Sequence, residues 1–269
     1  MPPVPSADGL LPDPEELHAH LLTQFEFLKG RNSTLSRHSD EFDQIYSDLE
    51  TSDPSNWSLD ITPNWAIPLE LPDFIVETRP SRDFAIENGW AIVGGNIDVS
   101  DGKYTDYAFH LSFLASKEEE VRGEPSNGPC CWRAEEQDWD YRVAKQYHFD
   151  IDPGRNRNEP KPVAHFQSQG SFEQARLPPG LRHQDIHYCS TPLDKPRLAH
   201  PPMDPILLLQ IVSEQYGGPA SMFSEHWDPM VVRAESTLWS GYYSGVSEHL
   251  GDDDRSAPCN ILISNDRID

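Results

Sequence analysis

Two short segments carry imidazole and carboxylate groups at the spacing of residues on one face of a strand. In 146–152 (QYHFDID), His148, Asp150 and Asp152 alternate with Tyr147, Phe149 and Ile151. Strand side chains point to opposite faces in turn, so the polar three share one face and the apolar three the other. The segment 163–169 (VAHFQSQ) does the same with His165 and Gln167 around Phe166. An antiparallel pairing that sets His148 opposite Gln167, and Asp150 opposite His165, also sets Phe149 opposite Phe166. One face is then aromatic and buries, while the other gathers His and Asp. A slip of one residue would mix the two faces, which favours this register.

The segment 182–189 (RHQDIHYC) shows the same alternation, with His183, Asp185, His187 and Cys189 on one face and Ile186 and Tyr188 on the other. A strand here that joins the same sheet would add its polar row to the first. Imidazole and carboxylate suit a divalent Zn, Mn or Fe ion, and the same groups serve as general acid and base. The candidate catalytic residues are therefore His148, Asp150 and His165, and the candidate metal ligands are His183, Asp185 and His187. The competing reading is a solvated face, since an antiparallel sheet often leaves one side wet. His200, in RLAHPPMD before a helix, is a minor ligand candidate.

Other catalytic signatures are missing from the sequence. It contains no G-x-x-x-x-G-K-[ST], no G-x-G-x-x-G after a strand, no H-E-x-x-H and no G-x-S-x-G. Cys130 and Cys131 are adjacent and so do not chelate one metal as a C-x-x-C pair does, while Cys189 and Cys259 stand alone. Reduced thiols are expected.

The elements that must position these groups read as α+β: a mostly antiparallel sheet flanked by N-terminal and C-terminal helices. After a Pro-rich stretch, 1–12, expected to be a mobile tail, Asp13 caps a helix with Pro14 at its first position, and Leu17, Leu21, Phe25 and Leu28 follow at helical spacing until Gly30. A second helix spans about 39–51, and the two could form a hairpin. Strand-like residues begin at Asn64, and Pro68 and Pro72 confine 64–78 to an edge. A hairpin follows, 89–98 and 104–115, turning through Ser100, Asp101 and Gly102. Gly94 and Gly95 mark a bulge or a close backbone approach. The stretch 117–131 reads as a polar loop and 133–145 as a short helix. Asp204 with Pro205, and Asp228 with Pro229, open two closing helices. Trp227, Trp239, Tyr242 and Tyr243 in the second read as core, with an interface as the alternative if both tyrosines are exposed. One domain, 13–250, is the economical division, with 251–269 an acidic tail whose Ile261–Ile263 run could add an edge strand.

Charge bounds the partners. Forty-five Asp and Glu face twenty-one Lys and Arg, a formal charge of -24, and Lys supplies only six of the cations. Such a surface repels itself at low ionic strength, while molar salt shrinks the screening length to about 3 Å. The balance fits a haloarchaeal cytoplasmic protein, with an acidic mesophilic protein or one with a basic partner as the alternative. Nucleic-acid binding is not supported by charge, because affinity for phosphate comes from Lys and Arg. No apolar run is long enough to span a bilayer and the opening residues lack a secretory pattern, so a cytoplasmic protein without a membrane partner is expected.

The stretch 141–216, with Tyr-His-Phe-Asp-Ile-Asp, then Pro-Val-Ala-His-Phe-Gln, then Arg-Leu-Ala-His-Pro-Pro-Met-Asp before a helix, resembles uncharacterised prokaryotic proteins of unknown function, some near toxin–antitoxin or defence genes. The resemblance brings no established activity with it. With no recognised catalytic motif, the first expectation is a non-catalytic protein that binds a protein partner, as a component of a defence or toxin–antitoxin locus; the alternative, from the polar strand faces, is a metal- or acid/base-dependent hydrolase of nucleic acid or nucleotides.

Overall fold

The computed structural model describes residues 11–31, 35–69, 89–116, 140–151, 164–168, 172–188, 197–216 and 227–251. Helix α1 (Pro14–Arg31) starts where Asp13 accepts the Glu15 N–H at 2.9 Å, and it runs one residue beyond Gly30. Its Leu17, Leu21, Phe25 and Leu28 are buried. Helix α2 (Ser39–Thr51) buries Phe42, Ile45 and Leu49 and packs beside α1. The Lys29 ammonium lies 3.5 Å from the centre of the Tyr46 ring, bridging the two helices at the surface.

Eight strands are described: β1 (Trp57–Asp60), β2 (Trp65–Leu69), β3 (Gly89–Ser100), β4 (Lys103–Ser116), β5 (Tyr141–Ile151), β6 (Ala164–Ser168), β7 (Ile186–His187) and β8 (Arg197–Ala199). They form one sheet in the order β1-β3-β4-β5-β6-β8; β2 shares β3's outer edge with β1, and β7 shares β5's outer edge with β6. Every pairing is antiparallel except β5 with β7. The chain is an α+β protein. Pro68 lies in β2, which pairs with β3 alone, as a proline in a sheet requires. The β3–β4 turn is the two-residue type with left-handed backbone at Asp101 (φ 51°) and Gly102 (φ 66°), which matches the twist of the strands it joins.

The two faces of the sheet differ. One carries Val93, Ile97, Tyr107, Phe109, Leu111, Phe113, Phe149 and Ile151, and is covered by α1, α2 and the closing helices α4 (Pro205–Tyr216) and α5 (Trp227–Gly251). Asp204 caps α4, accepting the Leu207 N–H at 2.8 Å. Its other oxygen lies 3.0 Å from His20 Nε2 and accepts from the Gln24 amide, so α1 and α4 meet through a buried polar contact. On α5, Trp239 donates to the Pro202 carbonyl at 2.8 Å and Tyr242 is buried, while Val232 and Tyr243 are 59% and 54% exposed.

The opposite face has a smaller apolar cluster, Ala66, Ile92, Leu114, Leu177 and Leu181, with Trp90, Tyr141, Val143, Phe172 and Ile186 against it. Its covering segment, 172–188, includes a short helix α3 (Pro179–Arg182).

Several sequence expectations need correction. The sheet begins with β1 at Trp57, ahead of Asn64, and the end of the expected tail is packed: Leu11 is buried in the core and the Pro12 carbonyl accepts from Tyr104 O–H at 2.8 Å. Residues 141–145 are strand, not helix; 133–139 lies outside the described residues. Lys145 pairs with Phe113 but Val143 pairs with Leu114, so Ala144 is an extra residue in β5. This bulge moves Tyr141 and Val143 onto the face that holds Gln146 and His148, erasing the alternation that marks a strand. Residues 182–189 are not one strand either. Pro178, Pro179 and Gly180 turn the chain into α3, and only Ile186–His187 pair with β5. The expectations for 1–10, 70–78, 117–131 and 252–269 fall outside the described residues, as do Asp152 and Cys189.

Candidate functional site

The β5–β6 register is the one expected from the alternation: His148 opposite Gln167, Phe149 opposite Phe166 and Asp150 opposite His165. On the other side of β5, His110 of β4 lies directly opposite His148, and Gly94 of β3 opposite His110. Arg197 of β8 completes the row beside Gln167, donating Nε–H to Gln167 Oε1 at 3.0 Å. A polar seam thus crosses five strands between the small apolar cluster and the open end of the sheet. One pleat further out, Asn96, Ala108, Asp150, His165 and Ala199 form the next row.

His110, Asn64 and Arg197 are members of the seam that sequence reasoning missed. The signal was present in YTDYAFHLSFLA, where His110 and Ser112 alternate with Phe109, Leu111 and Phe113. Placing β4 beside β5 was the step needed to bring His110 to His148. Asn64 precedes β2, and its side-chain amide lies 3.1 Å from His110 Nε2. With the amide N–H donating, that nitrogen is the acceptor of a neutral ring whose proton sits on Nδ1. Gly94 makes this arrangement fit. A Cβ there would collide with both the His110 ring and the Asn64 amide, so the expected close approach is real. At Gly95 a Cβ would run into Phe109 and the Ala108 carbonyl. The β3–β4 register shift lies elsewhere, between Asp98 and Val99.

Electrostatics keeps the seam uncharged. Burial pushes the His110 imidazole down to about 3, with His148 and the Arg176 guanidinium pushing the same way. Burial also lowers His148, against a smaller opposing pull from the Glu173 carboxylate. Both rings are therefore neutral at pH 7. The His110 and His148 ring centres lie 6.0 Å apart. Among the described residues, His148 Nε2, Asn64 Oδ1 and Ser112 Oγ are buried atoms without a hydrogen-bond partner.

The segment over the seam is tied down by its own polar groups. Asn64 N–H donates to the Arg176 carbonyl at 2.7 Å. The Arg176 guanidinium meets the Asp60 carboxylate and, at 2.9 Å, Thr62 Oγ1. Gln174 donates to the carbonyls of Arg182 and Gln184 at 3.1 and 2.8 Å.

At the open end, His165 Nε2 lies 3.7 Å from Asp150 Oδ2, too far for a hydrogen bond. The His165 side chain is buried, whereas that of Asp150 is 34% exposed. The three candidate catalytic residues thus share one face of adjacent strands, with Asp150 and His148 part-exposed and His165 buried.

The three candidate metal ligands do not join them. His183 follows α3 as an exposed residue. Asp185 is also exposed, and its main chain pins the start of β5: Asp185 O accepts the Asp140 N–H at 2.7 Å, and Asp185 N–H donates to the Asp140 carboxylate at 2.9 Å. His187 pairs with Arg142, six residues and roughly 20 Å along β5 from His148. Among the described residues, no group of three or more His, Cys, Asp and Glu is arranged to hold a metal ion. His200 packs on Phe149 at 5.1 Å and on Phe166, on the apolar side of the sheet.

A cavity of about 660 Å³ opens at the other edge of the sheet, lined in part by Asp48, Trp57, Asp60, Asp98 and Thr105. It contains no histidine and is separate from the seam. Among the described residues, no helix is long and apolar enough to cross a membrane.

Fold and site together define an α+β protein with a histidine-lined polar seam on the sheet face opposite its main helices. No protein-family model, curated protein or solved structure matches the chain.

Proposed function

We propose that this chain is a hydrolase that works by acid–base chemistry at the seam. His148 is the general base, Asp150 lies where substrate arrives with His165 buried behind it, and nucleotides or nucleic acid are the substrate class. One observation supports the reading above the others: His148 is a half-buried ring, kept neutral by burial, whose Nε2 meets no partner among the described residues. A base must be unprotonated at working pH and must present a free nitrogen, and His148 has both properties. In this reading His148 Nε2 takes a proton from water as its oxygen bonds to phosphorus. The leaving oxygen departs with the electron pair of the broken bond and is protonated from solvent.

The test is phosphate release from nucleoside triphosphates and cleavage of RNA and DNA, in molar KCl, with and without added Zn or Mn. Replacing His148→Gln is expected to slow turnover by roughly 10²-fold or more, with far-UV circular dichroism unchanged. A wild-type protein silent across the panel overturns the reading. The same proposal places the protein in a salt-rich cytoplasm, on the charge of -24 and the shortage of Lys. A melting temperature that rises between 0.1 and several molar KCl is the expected outcome there.

A second reading, a protein-binding component of a defence or toxin–antitoxin pair, is favoured by a different observation. Val232 and Tyr243 are exposed on α5, and eleven residues is close to three helical turns, so they share a side of the helix. Replacing Val232→Lys and Tyr243→Ser together is expected to abolish capture of a partner encoded beside this chain, and undiminished capture by that variant sinks this reading.

A further inference from the structure

We infer that the seam holds an ordered water that donates one hydrogen to Asn64 Oδ1 and the other to His148 Nε2, and that this water is the group His148 deprotonates. The second half of the inference rests on the acid–base reading above; the first half stands on the seam's own chemistry.

Asn64 is 3% exposed and Ser112 1%. Their side-chain oxygens, together with His148 Nε2, lie buried without a hydrogen-bond partner among the described residues. Interior polar atoms are rarely left so, and the usual remedy is a water with about three hydrogen bonds. Asn64 and His148 both border the His110 ring. Asn64 is bonded to His110, His148 faces His110 across the strand pair, and Ser112 is two residues along β4 on the same face. The neighbouring apolar side chains, Ala66, Ile92 and Leu114, offer neither donor nor acceptor.

The polarity of the site selects the ligand. Asn64 uses its amide N–H on His110, which leaves its oxygen as an acceptor. His148 Nε2, in the tautomer that acts as a base, is a second acceptor. Two acceptors call for a molecule with two donors, and water is the smallest. The neutral imidazoles supply no positive charge for an anion. A water with both hydrogens committed to acceptors presents its oxygen lone pairs outward, the posture of an attacking nucleophile. Gly94 keeps the ring and the amide in place, since any side chain there would push them apart. Ser112 Oγ is placed to accept from, or donate to, a second water of the same file.

The test is nuclear magnetic resonance on full-length protein. Water-to-protein Overhauser transfer to the His148 ring protons, together with ¹⁷O relaxation dispersion counting long-lived waters, reads the site directly. Strong transfer and at least one long-lived water are expected in the wild type. In Asn64→Ala the lifetime of that water is expected to fall at least tenfold, and in Ser112→Ala, a milder change, to fall less. Ring resonances of His38 and His165 serve as the folding control, and a high-resolution crystal structure of the wild type gives an answer that needs no variant. A His148 ring that receives no transfer from water, or whose Nε2 bonds a protein group, overturns the inference. Water at His148 in a catalytically silent protein removes the hydrolase reading and the water's role as nucleophile, while the hydration site stands. Hydrolysis in a protein whose His148 meets no water removes the hydration site and leaves the hydrolase reading.

Discussion

The two faces of the sheet use the same strands for opposite purposes. The helix-covered face packs Phe, Tyr, Leu and Ile from β3, β4 and β5 against four helices, and among its buried polar contacts Asp204 with His20 and Gln24 gives the carboxylate a partner for each oxygen. The opposite face keeps histidines, amides and a serine under a short cover; His148 Nε2, Asn64 Oδ1 and Ser112 Oγ lack a protein partner there among the described residues, as His20 Nδ1, Gln24 Oε1 and Trp65 Nε1 do under the helices. What separates the faces is the kind of group each buries: mainly aromatic and aliphatic side chains under the helices, and imidazoles and amides beneath the 172–188 segment.

The largest effect that sharpens this contrast is a truncation on the apolar face. Phe109 is fully buried, and Phe109→Ala is expected to cost about 3–5 kcal/mol in urea unfolding. Asp204→Ala follows at about 3 kcal/mol, because it removes the α4 cap and strands His20 and Gln24 in the interior. Asp204→Asn, which keeps a capping oxygen, is expected to recover part of that loss. A loss under 1 kcal/mol for Asp204→Ala would break the claim that this contact is structural.

On the opposite face, Gly94→Ala is expected to cost about 1–3 kcal/mol, because the added methyl meets the His110 ring and the Asn64 amide. It should also move the ¹⁵N resonances of His110 and His148 while leaving those of His20 in place. Unmoved His110 and His148 signals would mean that Gly94 does not set the seam.

Acid weakens both faces. His38, His110, His148 and His200 all sit below the ordinary value of 6.5, with burial the largest cause in each. The unfolded chain takes up protons as pH falls through about 6.5 while these rings stay neutral in the fold, so stability is full above that pH and declines below it. Each ring adds a slope of up to about 1.4 kcal/mol per pH unit. For His110 the decline continues to about pH 3. Replacing His110→Gln should flatten the slope by about one ring's share, as read from urea midpoints between pH 6.5 and 4.5. The smallest effect is expected at Tyr243→Ser, within about 0.5 kcal/mol, since the ring is more than half exposed.

Much of this architecture was written in periodicity. Helices α1 and α2, the β3–β4 turn and the β5–β6 register each follow from a local rule: a capping carboxylate, 3.6-residue spacing, an Asp-Gly turn, and alternation that only one pairing satisfies. The unread parts share a cause, which is that alternation was broken or borrowed. The bulge at Ala144 put consecutive odd-numbered residues on both faces of β5, so its first half looked helical. In 182–189 the alternation belonged to a turn and a two-residue strand, and strand-like spacing without enough length to pair placed His183, Asp185 and His187 apart. Half of the seam was legible because His148, Asp150 and His165 sit on strands that are neighbours in sequence. The other half was not, since β4 joins β5 only after a long intervening segment, and Asn64 reaches His110 across 46 positions.

The Asp204 contact sets an order of events for a chain made from its N-terminus. His20 and Asp204 are 184 positions apart, so α1 leaves the ribosome long before the carboxylate that will receive its inward-facing imidazole and amide. Through most of synthesis, then, the inner side of α1 keeps two water-loving groups among its leucines, which lessens its tendency to stick to other nascent chains. Only when the segment ahead of α4 emerges can that side be sealed. The polar contact that fastens the finished molecule therefore also times its closure.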